Sequence, residues 1–78
     1  MISIKNRGLV KVLGERIREF RLKANFSQEE LANEADIPLS QIGRIERGET
    51  NPTISSLYVI AQALKIELKT LLDFKLKR

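Results

Sequence analysis

The chain contains no cysteine and no histidine. A disulfide framework, a zinc site of thiolates and imidazoles, a thiol nucleophile and an imidazole base are therefore all excluded, and stability has to come from apolar packing. Long apolar runs are also missing. Stretches such as Tyr58-Val59-Ile60-Ala61 fall far short of the ~18 residues that span a bilayer, and Met1 is not followed by the apolar region of a signal peptide. A cytoplasmic protein without membrane contact is expected. Proline occurs only at Pro38 and Pro52, each punctuating a single turn, and there is no repeat, low-complexity run or linker. What remains is 78 residues, 42% apolar and 31% charged, which suits one small folded domain and is too apolar for a disordered tail.

Lysine and arginine number 14 against 10 acids, a net charge of +4. The excess is unevenly placed: residues 1–26 carry +5, residues 27–56 carry −4 and residues 57–78 carry +3. A polyanion would be gripped by particular cations and helix ends, because the middle third is acidic on average.

The periodicity is helical. Val10, Leu13, Ile17, Phe20 and Ala24 fall within about 80° of one another at ~100° per residue, with Lys11, Glu15 and Arg18 opposite. Asn25 is a residue that tolerates positive φ and can stop this helix. Ser27-Gln28-Glu29-Glu30 reads as a capping box opening a second helix, with Gln28, Leu31 and Ala35 inward and a stop near Asp36. A third helix is expected from about Pro38 to Arg47, ending at Gly48. Thr53 then caps a fourth, whose buried stripe is Ile54, Leu57, Ile60, Ala61 and Leu64, and a short fifth helix covers residues 68–72. Both ends alternate apolar and polar residues: Ile2-Ser3-Ile4-Lys5 and Leu72-Asp73-Phe74-Lys75-Leu76-Lys77. They form either a β pairing or an arm and a frayed tail.

Two short helices joined by a tight turn, residues 27–35 and 38–47, make a helix-turn-helix arrangement. The strings Ile17-Arg18-Glu19-Phe20-Arg21, Ser27-Gln28-Glu29-Glu30-Leu31-Ala32, Ile42-Gly43-Arg44-Ile45-Glu46-Arg47-Gly48, Asn51-Pro52-Thr53 and Ala61-Gln62-Ala63-Leu64 resemble the Cro/repressor-type (XRE) helix-turn-helix family, in order and at its spacing. The resemblance covers roughly residues 9–72. It implies an all-α, compact five-helix, lambda-repressor-like domain at 9–72, with its helix-turn-helix at helices 2 and 3, an arm at 1–8 and a tail at 73–78.

With Ile42 set at 0° on the third helix, Ile45 and Glu46 fall on the same side. Ser40, Arg44 and Arg47 fall at about 160°, 200° and 140°. That face carries a hydroxyl and two guanidinium groups, which can donate to guanine and to phosphate. Leu39, at a base-reading position of the family, either meets a thymine methyl or staples the core. Leu39, Ser40 and Arg44 are thus the candidate base contacts, and Gln28, Gln41, Arg47, Asn51 and Thr53 the candidate phosphate contacts. Gly43 lowers helix propensity by ~1 kcal/mol against alanine, which close approach of the groove wall would explain. The resemblance further implies a structural ion pair between Arg21 and Glu46.

The chain departs from the family where Asn25, Asp36 and Lys65 replace the usual turn glycines; Lys65 leaves its helix end open. Pro38 and Leu39 replace a polar pair and thin the direct readout. Leu71, Leu72, Phe74 and Leu76, with Val59 and Leu22 facing outward, are expected to supply a homodimer interface. No cofactor and no enzymatic activity are expected, since acids and lysines show no paired arrangement beyond helix-surface spacing. The function implied is a dimeric, sequence-specific regulator of double-stranded DNA, a repressor or a controller protein. The alternatives are the antitoxin of a toxin-antitoxin pair, or an adaptor that keeps the fold without binding DNA, to which Glu29, Glu34 and Glu49 near the DNA side lend weight.

Overall fold

The computed structural model describes residues 5–76; Ile2, Ser3, Ile4 and Lys77, weighed above for a strand, lie outside them. Five helices follow in order: α1 (Arg7–Lys23), α2 (Gln28–Ala35), α3 (Leu39–Glu46), α4 (Ile54–Ala63) and α5 (Leu68–Leu71). No strand occurs among the described residues, and residues 73–76 are neither helix nor strand.

The starts of α1, α2 and α4 each have a capping side chain. Leu9 N–H donates to Asn6 Oδ1 at 2.9 Å, so α1 begins ahead of its apolar period, and Arg7 and Gly8, expected in the arm, form its first turn. The capping box of α2 is complete, with Glu30 N–H on Ser27 Oγ at 3.0 Å and Ser27 N–H on Glu30 Oε1 at 2.8 Å. Ser56 N–H on Thr53 Oγ1 at 3.0 Å opens α4. Pro38 is the N-cap of α3: its ψ of 140° is not helical, so α3 starts at Leu39, without a side-chain cap.

The first four helices end in one and the same way. Asn25, Asp36, Gly48 and Lys65 adopt φ of 60°, 56°, 72° and 59°. In each case the next residue reaches back: Phe26 N–H to Arg21 O, Ile37 N–H to Ala32 O, Glu49 N–H to Arg44 O and Ile66 N–H to Ala61 O. These paired bonds satisfy carbonyls that a helix end leaves open. Lys65, doubtful from sequence, takes the left-handed conformation as the others do. Phe26, Ile37 and Ile66 pack against the core just after the turn, which offsets the steric cost at a residue with a Cβ. Ala24, expected in the buried stripe, is instead the exposed cap of α1.

α3 is held between α1 and α2; α4 packs on α2, and α5 closes on α4 and α1. Every helix sends at least one wholly buried aliphatic side chain to the centre: Ile17, Leu31, Ile42 and Ile45, Ile60, and Leu71. Burial of that kind contributes about 1.5–3 kcal/mol per side chain. Leu71 was expected in a dimer interface and does not belong there: it has no exposed surface. The reason is Arg16, which was not singled out from sequence. Its guanidinium donates to Leu71 O at 3.0 Å and to Thr70 O at 2.7 Å, and it lies over the Phe20 ring, 5.0 Å from the centroid. This clamp folds α5 onto α1. Val59, expected to face outward, is half-buried on the core, whereas Ile54 is 62% exposed because the buried stripe of α4 begins one turn later, at Leu57.

Candidate nucleic-acid interface

α3 has two faces of opposite character. Ile42, Ile45 and Glu46 are buried, while Leu39, Ser40 and Arg44 are exposed, followed by exposed Arg47 just past the helix end. Gln41 is half-buried at the margin. Leu39 is 43% exposed, so it is not a core staple. An outward row of an aliphatic group, a hydroxyl and a guanidinium can serve direct readout in a major groove: the first can meet a thymine methyl, and the last can donate to guanine acceptors.

This face is held at its angle from beneath. Arg21 donates to Glu46 through Nε at 2.7 Å to Oε2 and through Nη2 at 3.1 Å to Oε1. Arg21 Nη1 also reaches Phe26 O at 2.8 Å, and Gln28 Nε2 donates to Glu46 Oε1 at 3.0 Å. One carboxylate thereby ties α1, α2 and α3 together. The two charges are almost wholly buried, their side chains 9% and 3% exposed, and a pair withdrawn from water this far needs such geometry to be tolerated. Gln28, an expected phosphate contact, gives one amide N–H to this network; its –NH2 carries a second donor. Two groups at the start of α2 are likewise taken by the capping box, Ser27 N–H and Glu30 N–H.

The margin of the face is a cluster of charge. Arg47 meets Glu49 with Nε 2.6 Å from Oε2, and Lys5 Nζ donates to Glu49 O at 2.9 Å. The Arg47 hydrogen bond holds the Glu49 carboxyl below the usual carboxylate range, the charges of Arg47, Arg44 and Lys5 adding to it, and the same bond raises Arg47. The space at Gly43 is filled from within the chain: a Cβ there would lie 2.9 Å from Arg47 Nη1. Asn51 is exposed in the segment before α4. The Thr53 hydroxyl, besides capping α4, donates to Ser56 Oγ at 2.9 Å.

Sequence reasoning missed Gly14, Arg16 and Lys5. Gly14 carried a signal, a glycine in mid-helix where alanine would be favoured. Arg16 and Lys5 carried none, because both act through backbone carbonyls far along the chain. At the C-terminal end Leu72 and Leu76 are 38% and 42% exposed, and Phe74 is half-buried against the core.

Comparison with known proteins agrees with this geometry. Residues 17–71 match the model of the helix-turn-helix family. The chain is similar to the control protein C.BamHI of Bacillus amyloliquefaciens, 42% identical over 64 residues that span 81% of this chain and 79% of that one. It is similar to the HTH-type transcriptional regulator SinR of Bacillus subtilis (strain 168), 37% identical over 82% of this chain and 59% of that regulator. Among solved structures, the restriction-modification controller protein C.AhdI from Aeromonas hydrophila superimposes with a TM-score of 0.76 at 40% identity, covering 81% of this chain and 94% of that one.

Proposed function

The chain belongs to the helix-turn-helix family of DNA-binding transcription regulators, and from that membership we propose that it acts as a homodimer that reads a palindromic operator through α3, as a repressor or controller protein. The observation that carries this reading is the two-faced α3, with Leu39, Ser40 and Arg44 outward and Ile42, Ile45 and Glu46 locked beneath. Arg44 is the guanine-reading residue, Leu39 and Ser40 flank it, and Arg47, Gln41, Asn51 and Thr53 lie toward the phosphates. Gln28 contributes chiefly by holding Glu46, leaving the remaining amides at the start of α2 for phosphate.

A single α3 reads too few base pairs for a unique address. Two copies with half-sites about 34–36 Å apart solve this. Exposed Leu72 and Leu76, with Phe74 beside them, favour the C-terminal end as the contact between copies. The cytoplasm is where such a regulator meets DNA.

The test is fluorescence anisotropy of the protein with the DNA immediately upstream of its own gene, against a scrambled duplex, at two salt concentrations. Tight, sequence-dependent and salt-sensitive binding is expected. Association that ignores both sequence and salt would favour the adaptor reading instead.

A further inference from the structure

Three of the four left-handed turns are followed by an apolar residue packed on the core, Phe26, Ile37 and Ile66; the turn after α3 is followed by Glu49. Its backbone is held on both sides, N–H on Arg44 O at 2.9 Å and carbonyl on Lys5 Nζ at 2.9 Å. The carboxylate thus starts from a fixed point. It takes Arg47 through Nε at 2.6 Å and Nη2 at 3.5 Å. Gly43 keeps clear the space in which that guanidinium lies.

We propose that Glu49 occupies, on Arg47, the place that a DNA phosphate takes when the protein docks, and so sets affinity by acting through Arg47. This inference rests on the DNA-binding reading above. Carboxylate and phosphate present the same pair of acceptor oxygens to the edge of a guanidinium, so one excludes the other. The pair is open to solvent, its side chains 58% and 54% exposed. An exposed pair is weak enough for DNA to displace and strong enough to be felt. Every duplex that engages Arg47 must first displace Glu49, and the protein offers DNA about one cation fewer than its α3 face carries.

A double-mutant cycle tests this, using a labelled random-sequence duplex over a salt series with the wild type, Glu49→Ala, Arg47→Ala and the double variant. Both side chains are exposed and outside the core, so the fold is kept. Glu49→Ala is expected to tighten binding about two- to five-fold and to steepen the dependence of log affinity on log salt by about one ion. Arg47→Ala weakens binding, and adding Glu49→Ala to it changes nothing further. Equal tightening in both backgrounds would show direct repulsion of DNA by Glu49 and overturn the proposal. So would a wild type that binds while Glu49→Ala binds no better. A wild type that binds no duplex at any salt removes the DNA-binding reading itself.

Discussion

Gly14 on α1 lies directly against the carbonyl oxygen of Ile45 on α3. A Cβ at Gly14 would collide with that oxygen and come within 2.6 Å of Glu46 O. Both obstacles are backbone, which cannot swing aside as a side chain can. The absence of a side chain at Gly14 therefore sets how deeply α3 beds into α1, and with it the height of the exposed α3 face. Gly14→Ala is expected to lower stability by about 1–3 kcal/mol, as overpacking of a close contact does. A urea midpoint equal to that of the wild type would show that the two helices part without cost.

The buried pair Arg21 and Glu46 is expected to behave asymmetrically under substitution. Glu46→Ala strands the Arg21 guanidinium and deprives Gln28 of its acceptor, at a cost of about 3–5 kcal/mol. Arg21→Met combined with Glu46→Leu removes both charges and keeps the volume, and should recover most of that loss. Chemical denaturation of the single and double variants decides. A double variant less stable than Glu46→Ala would mean that the pair contributes more than charge compensation.

Arg44 is exposed, so Arg44→Ala is expected to leave the melting temperature nearly unchanged. Its effect belongs to recognition, with a loss of about 1–3 kcal/mol on the operator and little on random duplex. Equal losses on both would place Arg44 on a phosphate.

Arg16→Lys tests the clamp on α5. The guanidinium serves two carbonyls, Thr70 O and Leu71 O, from one planar fork, which an ammonium cannot reproduce. Amide exchange at Leu71 and Leu72 should accelerate relative to that at Ile42, with a stability loss of about 1–3 kcal/mol. Exchange rates that move together across the whole chain would argue that α5 does not open separately.

The C-terminal contact is checked by sedimentation. A dimer is expected at tens of micromolar, and Leu72→Lys with Leu76→Lys should return it to one chain without unfolding it, because neither is a core residue. A wild-type mass of a single chain would remove the interface.

Local chemistry made much of the fold legible in advance. Capping by Ser27, Glu30 and Thr53, the left-handed stops at Asn25, Asp36 and Gly48, and the apolar period of each helix depend on neighbours within a few residues. The same holds for the two faces of α3, since spacing alone separates Ile42 and Ile45 from Ser40 and Arg44. Residues whose role depends on a distant partner were hidden, apart from the pair of Arg21 with Glu46 that the family resemblance implied. Leu71 reads as one more apolar residue near an apolar end, and only the fold of α5 under Arg16 puts it in the core. Nothing near Gln28 along the chain points to its bond with Glu46, 18 residues away.

The sequence by itself determined the number and order of the five helices, most of their stops and the greater part of each apolar face, because those properties are set by backbone sterics, capping bonds and period; the starts of α1 and α3 and the exposure of Ala24 and Ile54 were not among them. Tertiary structure alone decided the bed of α3 at Gly14, the engagement of Gln28 by Glu46, the hold of Arg16 on α5 and the placing of Glu49 on Arg47. The physical reason is common to all four: each is a contact between atoms brought together by the packing of whole helices or the closing of a turn, and no periodicity along the chain encodes the distance between them.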